Sequence, residues 1–223
     1  MTETPRLEIL PDPPAVARRA AKIVTEYARA AVAERGAFTF AVSGGRTPRA
    51  MFGELAGVEF PWSQTAIYQV DERVAPAGDP NRNLTLLRES LAAAALTDVY
   101  AMPVEATDLD AAADRYARLL PDRFDLIHLG LGPDGHTASL VPGDPVLDVV
   151  DRDVALTQPY MGFRRMTITY PVIDRARALL WLVTGFDKLD ALGRLCVHDE
   201  SIPAGRVAVD QALILADTTA AGH

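Results

Sequence analysis

The chain has one cysteine, Cys196, among 223 residues. A single thiol can form neither an internal disulfide nor a cysteine-based metal site, which points to a reducing compartment. Long apolar runs are also missing. No uncharged stretch reaches the ~18 residues of a membrane span, and the opening Met1-Thr2-Glu3-Thr4-Pro5-Arg6 lacks the apolar segment of a secretory signal. Positive charge is in deficit: 22 Lys and Arg stand against 30 Asp and Glu, for a formal net charge of -8. An acidic surface argues against partnership with nucleic acid or anionic membrane. Repeats and low-complexity linkers are absent too. These absences lead to the expectation of a cytoplasmic protein whose partner is a small molecule. Monomer and weak dimer both stay open.

What is present is ordinary globular composition, 49% hydrophobic and 23% charged, in a chain long enough to bury a core. Val16, Ala20, Ile23, Tyr27 and Ala31 recur at three- and four-residue spacing. That spacing predicts a helix over residues 13–35, which Gly36 can end in a left-handed conformation. Apolar runs predict strands over 38–42, 65–70, 125–131, 165–170, 178–184 and 211–216. Helices are predicted over 48–55, 85–95, 109–120 and 187–197. Residues 1–12 read as a lead-in, 13–217 as one α/β domain and 218–223 as a frayed tail. Alternating strands and helices imply a mostly parallel sheet with helices on both faces. Ligands of such sheets bind beyond the carboxyl ends of the strands. The segments 43–48, 71–73 and 132–136 each follow such an end, so all three can line one rim.

The first segment is Ser43-Gly44-Gly45-Arg46-Thr47-Pro48. Its glycines let backbone N–H groups approach an anion, Ser43 and Thr47 add hydroxyls, Arg46 adds charge, and the next helix aims its N-terminus at the same place. It is not a Walker loop, because no Gly-Lys-Ser/Thr follows. Nor is it a nucleophile elbow, because Ala41 stands where that pattern needs Gly. An ordinary strand-to-helix turn is the plain alternative. The second segment is Asp71-Glu72-Arg73. Asp71 can bind sugar hydroxyls and Arg73 can stabilise an oxyanion, although a solvated, self-pairing charge cluster is the commoner meaning of such a triplet.

The third segment, Gly130-Leu131-Gly132-Pro133-Asp134-Gly135-His136-Thr137, contains a literal Gly-x-Gly-x-x-Gly. It lies mid-chain, and Pro142-Gly143 follows too soon for a long helix, so it is not read as a dinucleotide fingerprint. The better reading makes His136 the chemical group, since an imidazole accepts a proton near neutral pH; a surface turn with a solvated His is the plain alternative. Asp134 can orient its ring. Arg165 and Lys188, at the ends of two later elements, can complete a phosphate clamp. His128, inside an apolar strand, reads as a satisfied core residue, and no metal-ligand spacing emerges.

Taken together these segments resemble the 6-phosphogluconolactonase family. The resemblance also takes in Asp79 with Asn83, Ala138-Ser139-Leu140, Pro142-Gly143 and Gly185. It covers residues 10–216 and is most specific around His136. It implies a Rossmann-like sheet in a single domain, shared with glucosamine-6-phosphate deaminases. It further implies hydrolysis of 6-phosphoglucono-δ-lactone in the oxidative pentose phosphate pathway, with no required metal or organic cofactor. His136 would be the base, Asp134 would orient His136 or the substrate, and Arg73 would be the oxyanion partner. Gly44, Gly45, Arg46, Thr47, Arg165 and Lys188 would hold the phosphate. Arg46, Arg82 and Val141 depart from the residues frequent in the family.

Two rivals are distinguishable. An aminosugar-phosphate isomerase/deaminase resembles this pattern but carries a Glu just before Pro-Gly, where this chain has Val141. A non-catalytic sugar-phosphate sensor of a transcription regulator would need a helix-turn-helix. The predicted first helix, starting at about residue 13, leaves no room for one, and the net charge is acidic.

Overall fold

Strands covered on both faces need apolar side chains on both, and the short uninterrupted runs of this chain form the centre of its main sheet. The computed structural model describes residues 5–92, 98–208 and 212–223. In chain order they form β1 (Arg6–Leu10), α1 (Pro13–Arg35), β2 (Phe38–Val42), α2 (Arg46–Ala56), β3 (Thr65–Gln69), β4 (Asp71–Arg73) and α3 (Asn83–Ser90). Next come β5 (Asp98–Tyr100), α4 (Leu109–Ala117), β6 (Leu126–Gly130), β7 (Val154–Leu156) and β8 (Arg165–Ile168). Last are α5 (Tyr170–Asp174), β9 (Leu179–Val183), α6 (Leu189–Cys196), β10 (Ala212–Asp217) and α7 (Thr218–Ala221). Seven strands pair in parallel in the order β1-β10-β9-β6-β2-β3-β5. A second, antiparallel sheet has the order β4-β8-β7.

The period-two alternation of strands sorts side chains into two cores. Phe38, Phe40 and Val42 of β2, with Leu180 and Leu182 of β9, pack against Val16, Ala20, Val24 and Ala28 of α1 and Met51, Phe52 and Leu55 of α2. Ala41, Ile127, Leu129, Trp181 and Val183 face the other way, against Tyr116 of α4, Val172 and Ile173 of α5 and Leu192 and Leu195 of α6. The small sheet adds Val154, Met166 and Ile168 to this second core. Val70 joins the sheets: its N–H donates to the carbonyl of Val42 and its carbonyl accepts from the N–H of Ile168, at 3.0 and 2.8 Å.

This order creates the cleft. From β2 the chain crosses outward to β3. It returns to the opposite side of β2 as β6, which β9 then flanks. The connections therefore leave the β2–β6 seam in opposite directions, and a crevice opens beyond the carboxyl ends of those two strands. The segments after β2 and β6 are the glycine loop and the loop of His136.

Several expectations need correction. Asp71–Arg73 is a strand, not a loop, because β8 pairs with it through long-range bonds that a local reading cannot see. The predicted strand 165–170 belongs to that antiparallel sheet and stops at Ile168, since Thr169 and Pro171 open α5. The lead-in 1–12 contains the edge strand β1, whose Leu7 and Ile9 are exposed and so leave no core pattern. The tail is a capped helical turn: Asp217 Oδ1 accepts from the N–H of Ala220 at 2.9 Å, and Gly222 ends the turn with a φ of +76°. Helix 85–95 is observed as Asn83–Ser90, and residues 93–95 of that expectation lie outside the described residues. Strands β5 and β7 and helix α5 have no counterpart among the predicted elements, and residue 211 of the predicted last strand lies outside the described residues. No helix among the described residues is long and apolar enough to cross a membrane.

Asp217 Oδ1 also accepts from the N–H of Gly185 at 3.0 Å, tying the end of β10 to the loop that carries Lys188. Asp217→Ala leaves both N–H groups without this partner. Urea unfolding of that variant is expected to show a loss of about 2 kcal/mol.

Candidate active site

The cleft has two adjoining lobes of 460 and 220 Å³, which share Gly44, Gly45, Gly130, Leu131 and Lys188. The glycine loop is shorter than expected, because α2 begins at Arg46. Gly45 precedes it with a φ of +124°, and no side chain caps the helix. The first-turn N–H groups therefore remain available to an anion. Gly44 must be glycine: a Cβ there would lie 1.9 Å from Asn83 Oδ1. Thr47 Oγ1 bonds Thr184 Oγ1 at 2.8 Å, linking the loop to the end of β9. Arg46 is exposed and lines the larger lobe.

Ser43 lines the smaller lobe, but its donors turn away from it. Its hydroxyl donates to the carbonyl of His128 at 3.1 Å, and its N–H donates to His128 Nδ1 at 3.2 Å. Both donors bind the sheet rather than the cleft. His128 is fully buried; its Nδ1 acts as an acceptor, and its Nε2 has no partner among the described residues. It is thus only half satisfied.

The acidic triplet is buried, not solvated. Glu72 Oε1 accepts from the N–H groups of Arg73 and Asn83, both at 2.8 Å. Its Oε2 accepts from Gln69 Nε2 and Leu84 N at 2.9 Å and lies 3.0 Å from Arg82 Nε. Glu72 therefore anchors the start of α3 rather than facing a ligand. Asp71 accepts from Ser139 Oγ at 2.6 Å and from Asn83 Nδ2 at 2.9 Å. The Oδ1 of Asn83 accepts from Arg73 Nη1. Asn83 thus joins Asp71, Arg73 and Gly44, a role its place in the sequence pattern did not disclose.

His136 stands in the smaller lobe with Arg73, Arg165 and Lys188. Its Nδ1 lies 2.5 Å from Asp134 Oδ1, and its N–H also donates to that oxygen at 3.2 Å. Burial pushes the Asp134 carboxyl up, but the His136 ring, the Tyr160 hydroxyl and the His136 N–H outweigh it and hold the group below its ordinary range. The turn is built for this pair. A Cβ on Gly132 would lie 2.0 Å from His136 Nδ1, and Gly135 has a φ of +80° with Ile202 packed against its Cα.

Arg73 and Arg165 face each other across β4 and β8. Like charges directly opposite are unfavourable without an anion between or beside them. Burial lowers the Arg165 pKa, Asp71 opposes the shift and Arg73 adds to it. Arg165 is 4% exposed, and its Nε has no partner among the described residues. Lys188, 3.0 Å from Asp187 Oδ2, borders both lobes. The sequence-predicted residues are thus gathered around the two lobes with groups able to receive an anion, and Glu72 frames them. Among the described residues no group of three or more His, Cys, Asp or Glu could hold a metal ion.

The profile of the family described as glucosamine-6-phosphate isomerases/6-phosphogluconolactonase matches residues 11–215. The 6-phosphogluconolactonase of Synechocystis sp. is 36% identical over 206 residues, covering 86% of this chain and 85% of that protein. The 6-phosphogluconolactonase of Nostoc sp. is 30% identical over 202 residues, covering 85% and 84%. The crystal structure of a 6-phosphogluconolactonase from Shewanella baltica superposes with a TM-score of 0.87 at 26% identity, covering 97% of this chain and 99% of that one.

The seam beneath the glycine loop is pH-sensitive. Burial pushes His128 down to about 3, below the roughly 6.5 of an unfolded imidazole. As pH falls below the unfolded value, the unfolded chain binds a proton that the folded chain refuses. Stability is therefore full above about pH 6.5 and lost toward pH 3, at no more than about 1.4 kcal/mol per unit. Urea titrations between about pH 6.5 and 5 are expected to show this slope in the wild type and a shallower one in His128→Gln. Equal slopes would remove His128 from the account.

Proposed function

The chain belongs to the family of glucosamine-6-phosphate isomerases and 6-phosphogluconolactonases, and from that premise we propose that it hydrolyses 6-phosphogluconolactone with His136 as the general base. The observation that carries the assignment is His136 held through Nδ1 by Asp134 at 2.5 Å in a lobe with three cationic side chains. With Nδ1 engaged, Nε2 is the nitrogen left to take a proton from water. The resulting hydroxide adds to the lactone carbonyl carbon, and the electron pair moves to the carbonyl oxygen. Arg73 offsets the charge on that oxygen. The tetrahedral intermediate collapses, the bond from the carbonyl carbon to the ring oxygen breaks, and the imidazolium returns its proton to the departing ring oxygen. One water is added and the base is regenerated. The negative Asp134 stabilises the imidazolium between these steps.

The phosphate lies against the backbone N–H groups of Gly45 and the first turn of α2, with Lys188 and Arg165 supplying charge. Holding the phosphate there positions the carbonyl at His136, so that binding energy lowers the barrier to attack. Ser43 supports this loop from below. The deaminase reading is disfavoured by Val141, which is 4% exposed and carries no proton-transferring group at the place where that reaction uses a carboxylate. The reading includes a cytoplasmic location, where the lone Cys196 stays reduced.

The assay is the hydrolysis of freshly generated 6-phosphogluconolactone, followed by acid release against a no-protein control. His136→Ala is expected to lower turnover by about 100-fold or more while 6-phosphogluconate still binds. Unchanged turnover would sink the general-base assignment. Lys188→Ala is expected to weaken binding of the phosphorylated ligand about 10-fold or more and to have a smaller effect on turnover. Unaltered affinity would remove Lys188 from the clamp.

A further inference from the structure

Tyr160 lies outside every sequence motif of the site, yet it touches both halves of it. Its hydroxyl donates to Asp134 Oδ2 at 2.9 Å, on the oxygen that His136 does not use. Its ring stands edge-on to the His136 ring, with centroids 5.5 Å apart. The guanidinium carbon of Arg165 lies 5.0 Å from the centre of the same ring, and Arg165 Nη2 reaches the Tyr160 carbonyl at 3.5 Å. One side chain thus contacts the partner of the base and a cation assigned to the phosphate.

The backbone holds it there at some cost. Tyr160 and Phe163 exchange N–H···O bonds of 2.9 and 3.2 Å across Met161-Gly162. Both central residues have positive φ, +49° and +83°. This is the two-residue hairpin geometry whose twist suits the strands it joins. Glycine adopts it freely, whereas Met161 does so under strain. Met161 is itself 76% exposed and packs on nothing that would explain the strain. Strain kept beside a cleft is a pointer to function, and the residue this turn fixes is Tyr160. Burial, and then the Asp134 carboxylate, raise the Tyr160 pKa, so the phenol remains a donor.

We propose that Tyr160 is a positioning residue with two separable actions: its hydroxyl orients Asp134 for His136, and its ring face holds Arg165 for the substrate's phosphate. The inference deepens the lactonase reading and rests on it. The hydroxyl leaves Asp134 Oδ1 directed at the imidazole. The ring lies against a buried guanidinium that would otherwise be free to swing toward Asp71.

Steady-state kinetics of the full chain on 6-phosphogluconolactone test this. Tyr160→Phe removes only the hydroxyl, and kcat is expected to fall about 10-fold with KM unchanged. Tyr160→Leu removes the ring as well, and KM is expected to rise about 10-fold in addition. In an Asp134→Asn background, Tyr160→Phe is expected to change kcat little further, because the hydroxyl acts through the carboxylate. A merely structural role would lower kcat by the same factor in both backgrounds and would overturn the proposal, as would wild-type kcat in Tyr160→Phe. Should Tyr160→Leu not fold, the Phe variant and the Asp134→Asn cycle still decide. An inactive wild type would overturn the lactonase reading with it; an active wild type beside an indifferent Tyr160→Phe overturns the role of Tyr160 alone.

Discussion

The buried Glu72 carboxylate is the constraint from which much of the cleft follows. A charge fully removed from water is tolerated only when its oxygens are saturated. Here four N–H donors and the Arg82 guanidinium surround it. Two of those donors are the N–H groups of Asn83 and Leu84, so the same carboxylate fixes where α3 starts. That in turn places the Asn83 side chain over Gly44, where it holds Arg73 on one side and Asp71 on the other. Asp71 passes the constraint on through Ser139, three residues after His136. The glycine loop, Arg73 and the loop of His136 are therefore set relative to one another by hydrogen bonds that begin at one carboxylate.

The electrostatics of the cleft oppose those of the chain. A net charge of -8 would repel an anionic sugar phosphate in bulk. Locally, Arg73, Arg165 and Lys188 converge, and the two buried carboxylates beside them are already committed to hydrogen bonds. Asp71 softens the opposition of the two arginines without cancelling it, and Arg165 remains the less comfortable of the pair.

How far the sequence discloses this differs by kind of residue. Strands β2, β6 and β9 are legible because burial on both faces demands uninterrupted apolar runs. The glycine loop and the His136 turn are legible because close approach and positive φ demand glycine at fixed places. Strand β4 is not legible: three consecutive charged residues signal solvent, and only pairing with β8, more than ninety positions away, makes them a buried strand. The role of Ser43 is hidden for the same reason, since its partner His128 is 85 positions away; Asn83 and Asp71 are only 12 apart, but no local periodicity brings them together. Tyr160 left one faint trace, the Met161-Gly162 pair that makes its turn. A hairpin reading of that pair would have placed Tyr160 beside Arg165, but nothing local points to Asp134.

The modest catalytic apparatus suits the reaction. A strained cyclic ester opens in water unaided, so the protein need not generate a strong nucleophile or a covalent intermediate. It must hold one carbonyl beside one base and offset one developing charge. In the proposed mechanism a single imidazole, held by Asp134, and one arginine meet those needs. The isomerase and deaminase chemistry of the same family asks for more, because the sugar ring must be opened and protons moved between neighbouring carbons. Val141, 4% exposed, carries no ionisable group for that extra transfer, which is why the proposed reaction is the simpler of the two.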